Sequence, residues 1–120
     1  MVIATDAPLS DRNLERLAAR AIMGLSRTGS SASNGSGDYV LAFSTSDKVR
    51  RQFNAARLQT EELANEPMSG LFQAAVEATE EAIYNSMFMA TTTTGNGRTI
   101  NAIPLDKVKE ILEKYSVVKR

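Results

Sequence analysis

One run limits the fold more than any other: Leu14, Leu17, Ala18, Ala21, Ile22 and Leu25 recur at i, i+3, i+4, i+7, i+8 and i+11. That spacing puts all six side chains along one side of a helix, which must then be covered. Arg12, Glu15, Arg16 and Arg20 fall off the stripe and are expected in water. Ser10, just ahead of the run, suits the N-cap. The helix is flanked by two β-branched and apolar runs, "MVIATDA" at the start and "YVLAFST" from Tyr39, both read as buried strands. Pro8 ends the first, because it lacks an N–H donor and restricts Ala7. Strand, helix and strand at this spacing predict a right-handed βαβ unit. With 120 residues, the chain reads as a single domain over 1–120.

A second helix is expected from Pro67, a residue suited to a first helical turn. Met68, Leu71, Phe72, Ala75, Val76, Thr79, Ala82, Ile83, Ser86 and Met87 give it a wide apolar face. Glu77 and Glu81 lie opposite, and Glu80 sits at the boundary, where partial burial is expected. "TTTTGNG" over 91–97 breaks this helix, "RTINAIP" reads as a short strand, and "LDKVKEILEKY" as a closing helix. Residues 47–65 fit either a helix or a loop with an edge strand. The resulting fold class is α+β. Strands near 1–6, 39–45 and 98–103 share one sheet, and helices near 10–26 and 68–90 cover one face. The other sheet face is left apolar and open, so the chain is expected to self-associate or to need a partner.

Composition removes whole classes of function. Cysteine and histidine are absent, which excludes a disulfide framework, a thiolate nucleophile, the usual zinc sites and a Ser-His-Asp triad. No "DxDxDG" loop is present, so no metal or other cofactor is expected. Fourteen basic residues balance 14 acidic ones with no long like-charged block, so neither nucleic acid nor a membrane is an expected partner. No apolar run is long enough to span a bilayer. Residues 1–9 lack the basic and apolar regions of a signal peptide, and a cytoplasmic location is expected. Any catalysis must use hydroxyl, amine, amide or carboxylate groups.

The Ser/Gly-rich stretch from Ser26 to Asp38 is long for a connector in a compact domain. Within it, "NGSGD" places Ser36 and Asp38 directly before the second strand, with Gly35 and Gly37 around Ser36. Taken alone, this is an ordinary turn, since Gly, Ser and Asp each satisfy or relax the backbone locally. It also offers a hydroxyl–carboxylate pair in which Asp38 accepts from Ser36 or from a nearby ammonium. The two glycines permit close backbone approach. A phosphate-binding nest is the weaker alternative, because Asp38 repels anions and the Lys and Ser/Thr of a P-loop are missing.

"VIATDAPL", "RLAARAIMGLSRTG", "GSGDYVLAFST", "FQAAVEATEEAIYNSM" and "AIPLDKVKEIL" occur in this order along the chain. Together they resemble the P1 family of L-aminopeptidase/D-amidase and β-peptidyl aminopeptidase enzymes, close in plan to the nylon-oligomer hydrolases. The resemblance implies a four-layer αββα sandwich of the type shared with ornithine acetyltransferase. It also implies a precursor that cuts itself into an α chain and a smaller β chain, the latter beginning with a Ser or Thr nucleophile. Such a residue can use its own α-amine as base, with a reference pKa of about 7.7–8.0. The substrate class implied is a peptide or amide with a free amino terminus. A Ser-Gly-acid stretch supports the nucleophile in this family, and the match assigns those roles to Ser36 and Asp38.

The family's nucleophile falls a few residues before Met1, and neither Met1 nor Val2 carries a nucleophilic side chain. The resemblance is therefore to a β chain without its first catalytic residue, expected to be inactive alone. Its implied partners are the α-chain-like half of the same precursor and further copies in a homo-oligomer. A non-catalytic structural or oligomeric descendant of the same fold is the alternative reading.

Overall fold

The computed structural model describes residues 1–117 and divides into two compact units, Met1–Glu81 and Ala82–Arg120. The first unit holds β1 (Val2–Thr5), α1 (Asp11–Arg27), β2 (Leu41–Ser44) and most of α2 (Met68–Phe88). The second holds the end of α2, the short strands β3 (Thr93–Gly95) and β4 (Arg98–Ile100), and α3 (Leu105–Lys114). No helix among the described residues is long and apolar enough to cross a membrane.

β1 and β2 pair in parallel, with Val2 opposite Leu41 and Thr5 opposite Ser44, and α1 provides the crossover that parallel pairing needs. The ladder is stitched beyond the strand ends. Thr45 N–H donates to the Thr5 carbonyl at 2.8 Å, and the Ser44 hydroxyl donates to the Ala7 carbonyl at 2.6 Å. Neither strand is fully buried. Ile3, Thr5, Ala42 and Ser44 are half-buried toward α1, whereas Val2, Ala4, Leu41 and Phe43 are exposed on the other face. Alternation with a single covered face accounts for the departure from two buried strands.

Leu9, Leu17, Met68 and Ala75 form the core, with Ile3, Leu14, Leu63, Leu71 and Phe72 packed against it. The buried line of α1 runs through Asn13, Leu17, Ala21 and Gly24. Gly24 is there because α2 comes too close for a side chain. A Cβ at that position would lie 2.5 Å from the Val76 carbonyl oxygen and 2.8 Å from Thr79 Cβ. Thr79 is buried with its hydroxyl donating to the Ala75 carbonyl at 2.7 Å. Glu80 is partly buried as the sequence suggested, 3.4 Å from Arg27. Arg16 and Arg20 correct the expectation of a solvated face. Both are half-buried, with guanidiniums 5.0 and 4.2 Å from the centre of the Phe72 ring.

Ser10 occupies the N-cap of α1 with extended backbone, yet its side chain caps nothing. Its hydroxyl donates instead to the Glu62 carboxylate at 2.5 Å. Residues 47–65 contain one 3-10 turn, Asp47–Val49, and no strand. Backbone bonds from Glu61 to Lys48 and from Leu63 to Pro8 tie the segment down.

The expectation that 98–103 joins the first sheet is wrong. β4 pairs antiparallel with β3 in a separate hairpin, Gly95 opposite Arg98. Asn96 and Gly97 form its two-residue turn with φ of 49° and 71°, the positive pair a type I′ turn demands. An Asn-Gly dipeptide, with Thr94 and Thr99 one residue further out on either side, is the sequence signal for this. α3 forms over the closing amphipathic run, although its Leu105, Ile111 and the following Tyr115 remain exposed.

Candidate active site

α1 ends when Thr28 and Gly29 turn their N–H groups back to the carbonyls of Leu25 and Ser26. Gly29 adopts φ 96°, a conformation open to glycine at little cost. The chain then runs through an exposed loop to β2. Inside it, Ser36 N–H donates to the Ser33 carbonyl at 2.8 Å, closing a turn over Asn34 and Gly35. The Ser36 hydroxyl donates to the Asp38 carboxylate. Among the described residues nothing stands within 4 Å of where a Cβ would lie at Gly35, and at Gly37 only the Tyr39 ring comes near, at 3.9 Å.

Asp38 is followed at once by the ladder that joins β2 to β1. The Met1 ammonium donates to the Tyr39 carbonyl at 2.6 Å, and Leu41 N–H donates to the Met1 carbonyl at 3.0 Å. Backbone pairing thus fixes residue 1 beside residues 39–41, one residue from Asp38. The role of the Tyr39 carbonyl in this anchoring had no signature in the sequence, because a main-chain acceptor carries none. What the loop offers chemically is a hydroxyl whose proton is engaged by a carboxylate, leaving the hydroxyl oxygen able to accept from a third group. No group of three or more acidic side chains gathers into a cation site among the described residues.

Residues 1–100 match the family described as Peptidase family S58. The chain belongs to this family. Among its relatives is the β-peptidyl aminopeptidase BapA of Sphingosinicella microcystinivorans, 43% identical over 116 residues, which cover 96% of this chain and 29% of the relative. Of solved structures, the PH0078 protein from Pyrococcus horikoshii OT3 superposes with a TM-score of 0.84 at 42% identity, over 96% of this chain and 33% of that one. The L-aminopeptidase D-Ala-esterase/amidase from Ochrobactrum anthropi, described as a new variant among the Ntn hydrolase fold, also gives 0.84, at 36% identity and with the same coverage. The chain has the fold of the corresponding part of these structures, and its α+β class stands. It spans about a third or less of the length of each.

Proposed function

We propose that these 120 residues form the β-chain-like domain of an N-terminal-nucleophile aminopeptidase. Its substrates are peptides or amides bearing an N-terminal amino-acyl or β-amino-acyl group. One observation carries the reading: the Ser36–Asp38 hydrogen bond lies on the loop whose next residue, Tyr39, holds the backbone of residue 1. The comparisons support the family, of whose relatives this chain spans about a third or less, and the activity is inferred from both.

In this reading a Ser or Thr hydroxyl just ahead of β1 attacks the substrate carbonyl. Its own α-amine accepts the hydroxyl proton and later returns it to the leaving amine, and water then hydrolyses the acyl-enzyme. Ser36 and Asp38 are the supporting pair. Asp38 holds the Ser36 proton, so the Ser36 oxygen can accept a hydrogen bond from the nucleophile or its ammonium and orient it. Gly35 and Gly37 keep the space above the loop open to the substrate. The α-chain-like half of the precursor supplies the second sheet, covers the exposed face of β1 and β2, and provides donors to the oxyanion; further copies complete an oligomer.

The test uses the full-length protein on amino-acyl and β-amino-acyl anilides. Ser36→Ala and Asp38→Asn are expected to lower kcat by about 10²–10⁴-fold with little change in stability, because both side chains are exposed. Unchanged kcat in both variants would remove the pair from the mechanism. The 120-residue chain alone is expected to show no turnover. Turnover by it that is lost in Ser36→Ala would make Ser36 itself the nucleophile. A full-length protein that neither cleaves itself nor hydrolyses any anilide would favour the non-catalytic descendant.

A further inference from the structure

α1 carries Arg16, Arg20, Met23 and Arg27 at i, i+4, i+7 and i+11, one edge of the helix. Facing this edge, Phe72, Gln73 and Val76 of α2 help line a shallow, open groove of about 580 Å³, within the size range of small-molecule sites. Its floor is apolar, made by Met23, Phe72 and Val76. Met23 is 58% exposed, between Arg20 and Arg27 along this edge.

The charges along this groove do not balance. Arg16 and Arg20 both stack on the Phe72 ring, and among the described residues neither lies within 4.0 Å of a carboxylate. Arg16 spends its donors on the neutral amide oxygens of Asn13 and Asn65, at 2.9 and 2.6 Å. Among the described residues Arg20 makes only a long 3.4 Å bond to the Arg16 carbonyl. The acids of the facing edge are engaged elsewhere: Glu80 pairs with Arg27, and Glu77 accepts from the Gln73 amide. The Arg20 fork therefore keeps most of its donors, at the mouth of an apolar trough and already oriented by its stack on Phe72.

We propose that this groove binds a small organic monocarboxylate with an aryl or branched hydrocarbon body. The carboxylate engages the Arg20 guanidinium, the geometry that fork matches best, and the hydrocarbon covers Met23 and Val76. A polyanion fits poorly, since one open guanidinium cannot neutralise several charges while Arg27 is already paired with Glu80. The site is separate from the Ser36–Asp38 loop, and the proposal does not depend on the aminopeptidase reading.

Saturation-transfer NMR on the full chain, with 3-phenylpropionate as probe and its neutral amide as control, tests it. Saturable binding with Kd of about 1 mM or tighter is expected for the carboxylate, with at least tenfold weaker binding of the amide. Arg20→Gln should weaken the carboxylate at least tenfold. Arg20 also packs on Phe72, so Met23→Glu provides a second variant that leaves this stack intact and sets a negative charge in the groove; it should abolish binding. Equal binding of acid and amide, no saturable signal from the parent chain, or a folded Met23→Glu variant that binds like the parent would each overturn the proposal.

Discussion

The two faces of the β1–β2 pair carry opposite chemistry to the one their burial suggests. Toward α1 point Ile3, Thr5, Ala42 and Ser44, two of them hydroxyl residues. Toward solvent point Val2, Ala4, Leu41 and Phe43, with Val2 68% and Leu41 64% exposed. The covered face is the more polar of the two. Its hydroxyls are used: Thr5 Oγ1 accepts from Ala7 N–H at 3.1 Å, and Ser44 donates to Ala7 and accepts from Ser46 N–H. They fasten the ends of the strands, while Leu9, Leu17 and Met68 supply the apolar burial. The open face has no such local employment, and its residue types fit a second layer laid against it. In a parallel pair a sequence pattern of continuous apolar residues therefore announces two covers, and the described residues of the first unit make only one of them.

Charging the open face should separate these roles most sharply. Leu41→Asp in the full-length protein is expected to eliminate activity and assembly, because a buried carboxylate without a partner costs several kcal/mol. In the 120-residue chain the same change should shift unfolding by about 0.5 kcal/mol or less and reduce self-association seen by sedimentation. Equal, large destabilisation in both settings would mean that the face is already covered within the chain. Leu17→Ala acts on the other side and should cost about 3–4 kcal/mol in urea unfolding in either setting. Gly24→Ala should cost about 1–3 kcal/mol, the clash with the Val76 carbonyl outweighing a helix-propensity gain of about 1 kcal/mol. Ser44→Ala should remove about 1 kcal/mol, a small loss measurable by the same unfolding curves.

α1 was legible from its spacing alone, and so was the apolar face of α2 as far as Thr79; beyond it Ala82, Ser86 and Met87, expected on that face, are exposed. Gly24 was not, because one sequence shows a helix's stripe without showing how near its neighbour comes. Arg16 and Arg20 misled for a related reason: long side chains beside a stripe lie along the adjoining helix, with only their charge left at the surface. The strand at 98–100 was found but given the wrong partner, since an apolar run states its face and not its neighbour. Asn96–Gly97 held that information and was read only as a helix breaker. Residues 47–65 had no periodicity to read, and their order comes from scattered bonds such as Leu63 to Pro8. At the site, Ser36 and Asp38 stood out only through resemblance. Their spacing alone describes a turn, and the turn is there as well, closed by Ser36 N–H on Ser33.

The parallel pairing of Val2 with Leu41 also has a consequence in time. Gly95 meets Arg98 across a two-residue turn, whereas β1 must wait for a partner separated from it by a whole helix and loop. The roughly tenfold longer closure costs about 2 kcal/mol more chain entropy before any contact repays it, and hairpins of the β3–β4 kind close within about 1–10 μs. Folding of the first unit should then begin with α1, a local structure, and reach the β1–β2 ladder late. The geometry that holds residue 1 beside Asp38 would be among the last features to form, and any chemistry depending on it would be withheld until the rest of that unit is in place.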